Sequence, residues 1–214
     1  MLTKNTDLLK SEIAHHIAAD AVVQGDYWRG AKNAVGGRGC FIGCLAHSED
    51  ARILGEKYGL PLMLVKVCEN IFEGLPEDDA KDFFAQIGDA VGCDGKDLTR
   101  VVWAFLGSEL RNIPGADCTA ISDVIAGMDL LAAGEKWPDA YAAYAAAYAA
   151  YAAIAADAAA RAAYAAADAA AYAAIAAGAA HAAHAAYIAA CAAAYDAARQ
   201  RQKDTILKLI REAS

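Results

Sequence analysis

About two-thirds of residues 140–198 are alanine, and the larger side chains fall among them at every third or fourth position: Tyr141, Tyr144, Tyr148, Tyr151, Ile154, Asp157, Arg161, Tyr164, Asp168, Tyr172 and Ile175. Alanine loses no side-chain entropy in a helix, and a 3/4 spacing places the larger residues on one helical face. The tract therefore predicts helix from 140 to 212. Its marked positions average about 3.4 residues apart, and from Ile175 to Tyr187 every step is three. Each such step turns the stripe back by roughly 60° on a straight helix, and an unbroken helix over 139–212 would be roughly 110 Å long. We expect a helical hairpin or bundle, broken at Gly178 with Asp157 and Asp168 as N-caps, or else a supercoil against a partner.

The remainder also reads as helical. Leu2–Val23 carries Leu8, Leu9, Ile13, Ile17 and Val22 on a broad apolar face. Residues 25–39 (GDYWRGAKNAVGGRG) are rich in glycine and predict a loop or short hairpin. Helical segments follow from Gly39 in two pieces stopping at Gly59, over Leu62–Phe72, after Pro76 with Phe83, Phe84 and Ile87 inward, from Asp97 or Thr99 with Val101, Val102, Phe105, Leu106 and Leu110 inward, and over Ile121–Leu131. The segment from Gly88 to Gly95 reads as a loop. No run of alternating strands is evident, so the fold class is all-α. Composition changes at Trp137-Pro138, which divides the chain into a helical domain over 1–138 and an Ala-rich repeat with a basic amphipathic tail over 139–214.

Charge narrows the partners. The formal charge is −8, although the tail from Arg199 holds five basic against two acidic side chains. General nucleic-acid binding requires a basic stripe to displace counterions, which an acidic body lacks. Residues 169–195 contain no Lys, Arg, Asp or Glu and mimic a membrane span, but they are mostly alanine and carry Gly178, His181 and His184 near the centre, so no membrane association is expected. The opening MLTKNTDLLKSEIAHH lacks a signal-peptide pattern. The six cysteines are therefore expected in a reducing cytoplasm, not in a disulfide framework.

The segment Arg38-Gly39-Cys40-Phe41-Ile42-Gly43-Cys44-Leu45-Ala46-His47 carries the sharpest chemistry. On a continuous helix, Cys40, Cys44 and His47 stand at i, i+4 and i+7, within about 60° of one another. Three readings stay open. Two thiolates and an imidazole would suit Zn²⁺, with a fourth ligand from Cys68, Cys93, His15 or His16 or an open water position; no other cofactor is indicated. Cys40 at a glycine-rich helix start beside Arg38 could be an activated nucleophile with His47 as base. Alternatively, Gly39 and Gly43 permit close helix contact and the cysteines simply pack. A radical-enzyme iron–sulfur loop is rejected, because His47 stands where its third cysteine belongs and strand–helix alternation is absent.

Upstream, Asp20, Gln24, Tyr27, Trp28 and Arg29 form a polar-aromatic cluster; with Arg38, the residues Gln24, Tyr27 and Trp28 are candidate ligand contacts. His181 and His184 could pair on a metal but read as stripe positions. Glu69, Glu73, Asp78, Asp79 and Asp82 read as a solvated acidic face. An ice-binding helix is disfavoured by the bulky Tyr and charged Asp and Arg on the stripe.

The pattern Gln24-Gly25-x-Tyr27, Arg38-Gly39-Cys40, Gly43-Cys44, His47, Gly59-Leu60-Pro61 and Ile71-Phe72-Glu73-Gly74-Leu75-Pro76, followed by the Ala/Tyr/Asp repeat and a final Arg-Gln-Arg-Gln helix, resembles a group of uncharacterised bacteriophage and bacterial proteins across nearly the whole chain. The resemblance brings no activity with it. It implies a phage or mobile-element setting, where small acidic proteins act on host defence or regulation. The expectation is thus a protein–protein interaction module, an inhibitor of a defence or regulatory factor, with self-association through the Ala-rich helices open to it. The alternative is a small Cys/His-dependent enzyme, zinc- or thiol-based, acting on a small molecule.

Overall fold

A computed structural model describes residues 1–30, 37–112, 119–137 and 180–214, without the side chains of 119–121, 180–188 and 191. The expected helix over 140–179, the break at Gly178, the caps at Asp157 and Asp168 and the side chains of His181 and His184 lie outside the described residues. The protein is all-α. The described helices are α1 (Thr6–Ala18), α2 (Phe41–Ala46), α3 (Arg52–Tyr58), α4 (Leu62–Gly74), α5 (Glu77–Val91), α6 (Val101–Arg111), α7 (Thr119–Ala133) and α8 (Ala180–Glu212), with one two-stranded antiparallel hairpin of β1 (Trp28–Arg29) and β2 (Arg38–Gly39). No helix among the described residues is long and apolar enough to cross a membrane.

Helix ends follow local chemistry. The first helix is shorter than the apolar pattern of Leu2–Val23 suggests: Asn5 is left-handed and Asp94 caps the helix instead, its Oδ1 accepting from both the amide and the hydroxyl of Thr6 at 2.8 Å. Leu2 pairs with Asp97 and Val22 with Gly39, so both ends of the segment are extended. Gly59, at φ 70°, closes α3, and Pro61 and Pro76 precede α4 and α5, where a missing amide proton is harmless. Helix α5 runs on to Val91, through the stretch from Gly88 that reads as loop in the sequence.

One core joins these elements. Phe41 of α2 packs between Phe72 of α4 and Phe83 and Phe84 of α5, with ring centroids 5.8–6.3 Å from its own. The tail enters the same core: Ile206, Leu207 and Ile210 are buried in it together with α1, α4, α5 and α6 residues. Hydrophobic packing thus draws on both sides of the composition change at Trp137-Pro138. Polar contacts reinforce the docking of α8. Buried Glu109 accepts from Gln202 at 3.0 Å and pairs with Arg201, Lys203 pairs with Asp82, and Lys96 Nζ donates to the carbonyls of Ile210 and Arg211 at the helix end. Further up α8, the described alanines at 189, 190, 192 and 193 are exposed.

The hairpin and α2 meet without a side chain between them. Gly39 donates its amide to Ala21 and accepts from Val23, and a Cβ built on either Gly39 or Gly43 would overlap the carbonyl oxygen of Tyr27. Helix propensity alone predicts that Gly43→Ala stabilises α2 by about 1 kcal/mol. We expect the reverse sign, a loss of about 2–4 kcal/mol or failure to fold, because backbone cannot yield as a flexible side chain can. Urea denaturation of the variant reads the sign directly.

Candidate functional site

Helix α2 spans six residues, and this limits the Cys/His face read from spacing. Cys40 precedes it in extended conformation, and His47 follows it in the left-handed region at φ 49°. Neither end residue continues the helix, so Cys40, Cys44 and His47 do not share the helical face that their spacing suggests. Each has a different neighbourhood. Cys44 points into the core, its Sγ 3.2 Å from the Gly39 carbonyl and 3.6 Å from that of Ala21. Its burial pushes the thiol up to about 12.

Cys40 sits in the wall of an open cleft of about 780 Å³ between the hairpin and α4. Its amide donates to the Asp26 carbonyl at 2.6 Å, which fixes the residue. Glu69 and Glu73, one turn apart on α4, complete that wall. Glu69 Oε2 accepts from the Ile42 amide at 3.0 Å, and Glu73 Oε2 accepts from the Gly25 amide at 2.8 Å. Burial raises both carboxyls above their usual range; Glu73 adds to the shift of Glu69, and Asp26 to that of Glu73. Burial and the adjacent Glu69 carboxylate push the Cys40 thiol strongly upward. The depressed thiol expected from a helix dipole and Arg38 is not what this environment produces, since Arg38 lies exposed on β2 while a carboxylate faces the sulfur.

His47 belongs to a different cluster. Its Nε2 lies 3.1 Å from Nε2 of His16 on α1, and Trp28 lies over its ring at a centroid separation of 4.9 Å. Both imidazoles are buried, His16 at 1% exposure, and two facing nitrogens at this distance share one proton. Burial lowers both pKa values; the charges of His47 and His15 lower His16 further, while nearby Glu12 raises both. Glu12 is itself tied to Lys57 and the Tyr58 hydroxyl, and the Lys57 charge opposes protonation of His47.

Comparison of the chain with family models, with curated proteins and with solved structures finds no match.

The polar-aromatic candidates also separate. Tyr27 stands half-exposed at the cleft. Gln24 is a tie: its Nε2 donates to the carbonyls of Phe72 and Leu75 at 2.6 and 2.9 Å, closing the end of α4. Trp28 packs on the histidine pair, Arg29 pairs with Asp26, and Asp20 pairs with Lys81. Among the metal-ligand alternatives, Cys68 is buried, Cys93 is exposed, and His16 is the one that meets His47. Sequence reading missed Glu69 and Glu73 as site residues. Their signal was the i, i+4 spacing beside Val65, Cys68 and Phe72, which places both carboxylates at the border of a buried face.

Two outcomes follow from this electrostatics. At pH 7, Cys93 should be alkylated fast, and Cys40, Cys44 and Cys68 slowly, because the thiolate reacts and burial keeps these three protonated. Peptide mass mapping of a timed alkylation checks the order, and rapid labelling of Cys40 would contradict it.

The histidine pair makes stability depend on pH. Both folded pKa values lie below the unfolded value of 6.5, so the unfolded chain binds more protons below that pH. The stabilisation is complete above pH 6.5 and is lost as pH falls through the lowered folded values. Glu69 and Glu73, with pKa values raised from 4.5, act in the opposite direction above pH 4.5, equally in wild type and variant. Urea midpoints measured from pH 7.5 to 5 should therefore fall more steeply for the wild type than for His47→Gln; parallel curves would refute the assignment.

Proposed function

We propose that the protein is a protein–protein interaction module that docks its partner across the N-terminal end of α4. One observation carries this reading. Of the eight large apolar side chains exposed among the described residues, Tyr27 and Met63 line the cleft, and Met1, Leu2 and Leu62 line a second depression of about 420 Å³. Leu62 and Met63 are consecutive, so four of the eight (Met1, Leu2, Leu62 and Met63) gather at the N-terminal end of α4, and Tyr27 stands on the cleft that runs on along the same helix. Clustered Met, Leu and Tyr beside open depressions are what a partner's side chains fill, whereas single exposed apolar residues need no explanation. Resemblance to phage and bacterial proteins supplies the class of partner: a defence or regulatory factor of a bacterial host, inhibited by being covered. The alternative of a small enzyme working through Cys40, Cys44 and His47 has less support, because burial holds both thiols protonated and His47 faces His16.

The test is chemical cross-linking of the purified chain in bacterial host extract, comparing wild type with Leu62→Glu/Met63→Glu and with Leu8→Glu, whose exposed side chain lies outside both depressions. A specific adduct should form with the wild type and with Leu8→Glu and be lost in the double variant. An adduct that survives the double variant, or none at all, would overturn the docking surface.

A further inference from the structure

On the cleft wall, the Sγ of Cys40 and carboxylate oxygens of Glu69 and Glu73 lie within 4.8 Å of one another. They come from two segments fixed by different forces: Cys40 by the hydrogen bond its amide donates to the Asp26 carbonyl and by the approach of Gly39 and Gly43 to Tyr27, the glutamates by their positions on α4. Each carboxylate is already oriented by one backbone amide, Ile42 for Glu69 and Gly25 for Glu73, and each has a second oxygen for another partner. Hydrogen-bonded orientation of this kind is what metal-ligating carboxylates require. Among the described residues neither carboxylate has an ion-pair partner, although two acids and a thiol converge here. The sulfur is buried beside Glu69, within reach of the Gly43 and Ile42 amides, and makes a long contact of 3.8 Å to the Tyr27 carbonyl.

We propose that Cys40, Glu69 and Glu73 form a zinc site whose fourth position opens into the cleft. One soft sulfur and two hard oxygens match the borderline character of Zn²⁺. An all-oxygen cation such as Mg²⁺ or Ca²⁺ gains nothing from the sulfur, and Cu(I) requires more soft donors. Bond lengths of about 2.3 Å to sulfur and about 2.0–2.2 Å to oxygen require the three donors to draw together by roughly 1 Å, within reach of two glutamate side chains at an open cleft. On binding, the Cys40 S–H bond breaks, its proton passes to solvent and the thiolate donates a lone pair to the metal, with no change of oxidation state. Thiolate and two carboxylates around Zn²⁺ leave one net negative charge, with Lys66 on the same wall. The fourth position then holds water or a donor atom from whatever enters the cleft. The site is independent of the docking reading, because purified chain and metal alone test it.

The full chain, purified without a histidine tag, is titrated with Co²⁺ as a spectroscopic stand-in and with Zn²⁺ in competition. One equivalent should bind with a thiolate-to-cobalt charge-transfer band and release of the Cys40 proton, and Zn²⁺ should displace it. Cys40→Ala should abolish the band. Glu73→Gln alters an exposed side chain and so leaves the fold intact; it should weaken binding by more than about 100-fold, beyond the usual cost of losing an outer-shell contact. Cys44→Ala should leave the band in place. Absence of a band, a band that survives Cys40→Ala, or affinity unchanged in Glu73→Gln would each overturn the site; a band lost in Cys44→Ala and His47→Ala but kept in Glu73→Gln would move the metal to the set read from spacing.

Discussion

A Cβ at Gly39 or Gly43 would overlap the carbonyl oxygen of Tyr27, and the approach these two glycines permit sets how α2 sits on the hairpin backbone and so where Cys40, Cys44 and His47 lie. With α2 pressed against the hairpin backbone, the residue before the helix must lie on the cleft side, where Cys40 meets α4. Cys44, one turn on, faces the carbonyls of Gly39 and Ala21, and His47 is carried past the helix end to His16. Phe41 locks the arrangement from the other side by its contacts with Phe72, Phe83 and Phe84. Bulk at either glycine would move Cys40 away from Glu69 and His47 away from His16 together. Packing at one backbone contact and chemistry at two separate clusters are therefore coupled.

Helix α4 is the second element on which this depends, and the C-terminal tail helps hold it. Arg199, only 7% exposed, donates to Asn70 of α4 at 3.0 Å and lies against Gly74, while Ile206, Leu207 and Ile210 fill the core beneath α5 and α6. A buried guanidinium costs heavily unless its donors are satisfied, and here Asn70, Gln202 and the Tyr195 hydroxyl satisfy them. Part of the tail's basic charge thus has an internal role, Lys203 matching Asp82 and Arg201 matching Glu109.

Much of the fold is legible in the sequence because local signals and burial agree. Gly59 and Pro61 separate α3 from α4, and Pro76 with three acids opens α5. The inward positions Val101, Val102, Phe105, Leu106 and Leu110 are all buried, as are Ile206, Leu207 and Ile210. The apolar pattern over Leu2–Val23 is longer than the helix because such a pattern does not distinguish a helix face from an extended end that is also buried: Val22 is in the core while pairing with Gly39. The capping of α1 by Asp94 was illegible, since a cap supplied from the α5–α6 connection leaves no trace near Thr6. Likewise the tail's share in the main core does not follow from composition, which changes at Trp137-Pro138 although the packing continues.

The site was harder to read for a reason that the Cys/His motif exposes. An i, i+4, i+7 spacing places three side chains together only if the helix runs through all of them, and this helix covers only Phe41–Ala46. Once Cys40 is extended and His47 left-handed, spacing along the chain ceases to measure distance in space. Partners are then set by what packs against each end. For Cys40 this is α4, whose acidic residues look solvated in the sequence because Glu69 and Glu73 are charged; for His47 it is α1, whose His16 falls three residues after the buried Ile13. The informative feature of Glu69 is its flanking by Cys68 and Phe72, because a carboxylate at the edge of a buried face must find a donor, and the nearest are the Ile42 amide and the Cys40 thiol. Short helices bounded by glycine and left-handed residues should therefore be read end by end, each terminal side chain assigned to the element that covers it.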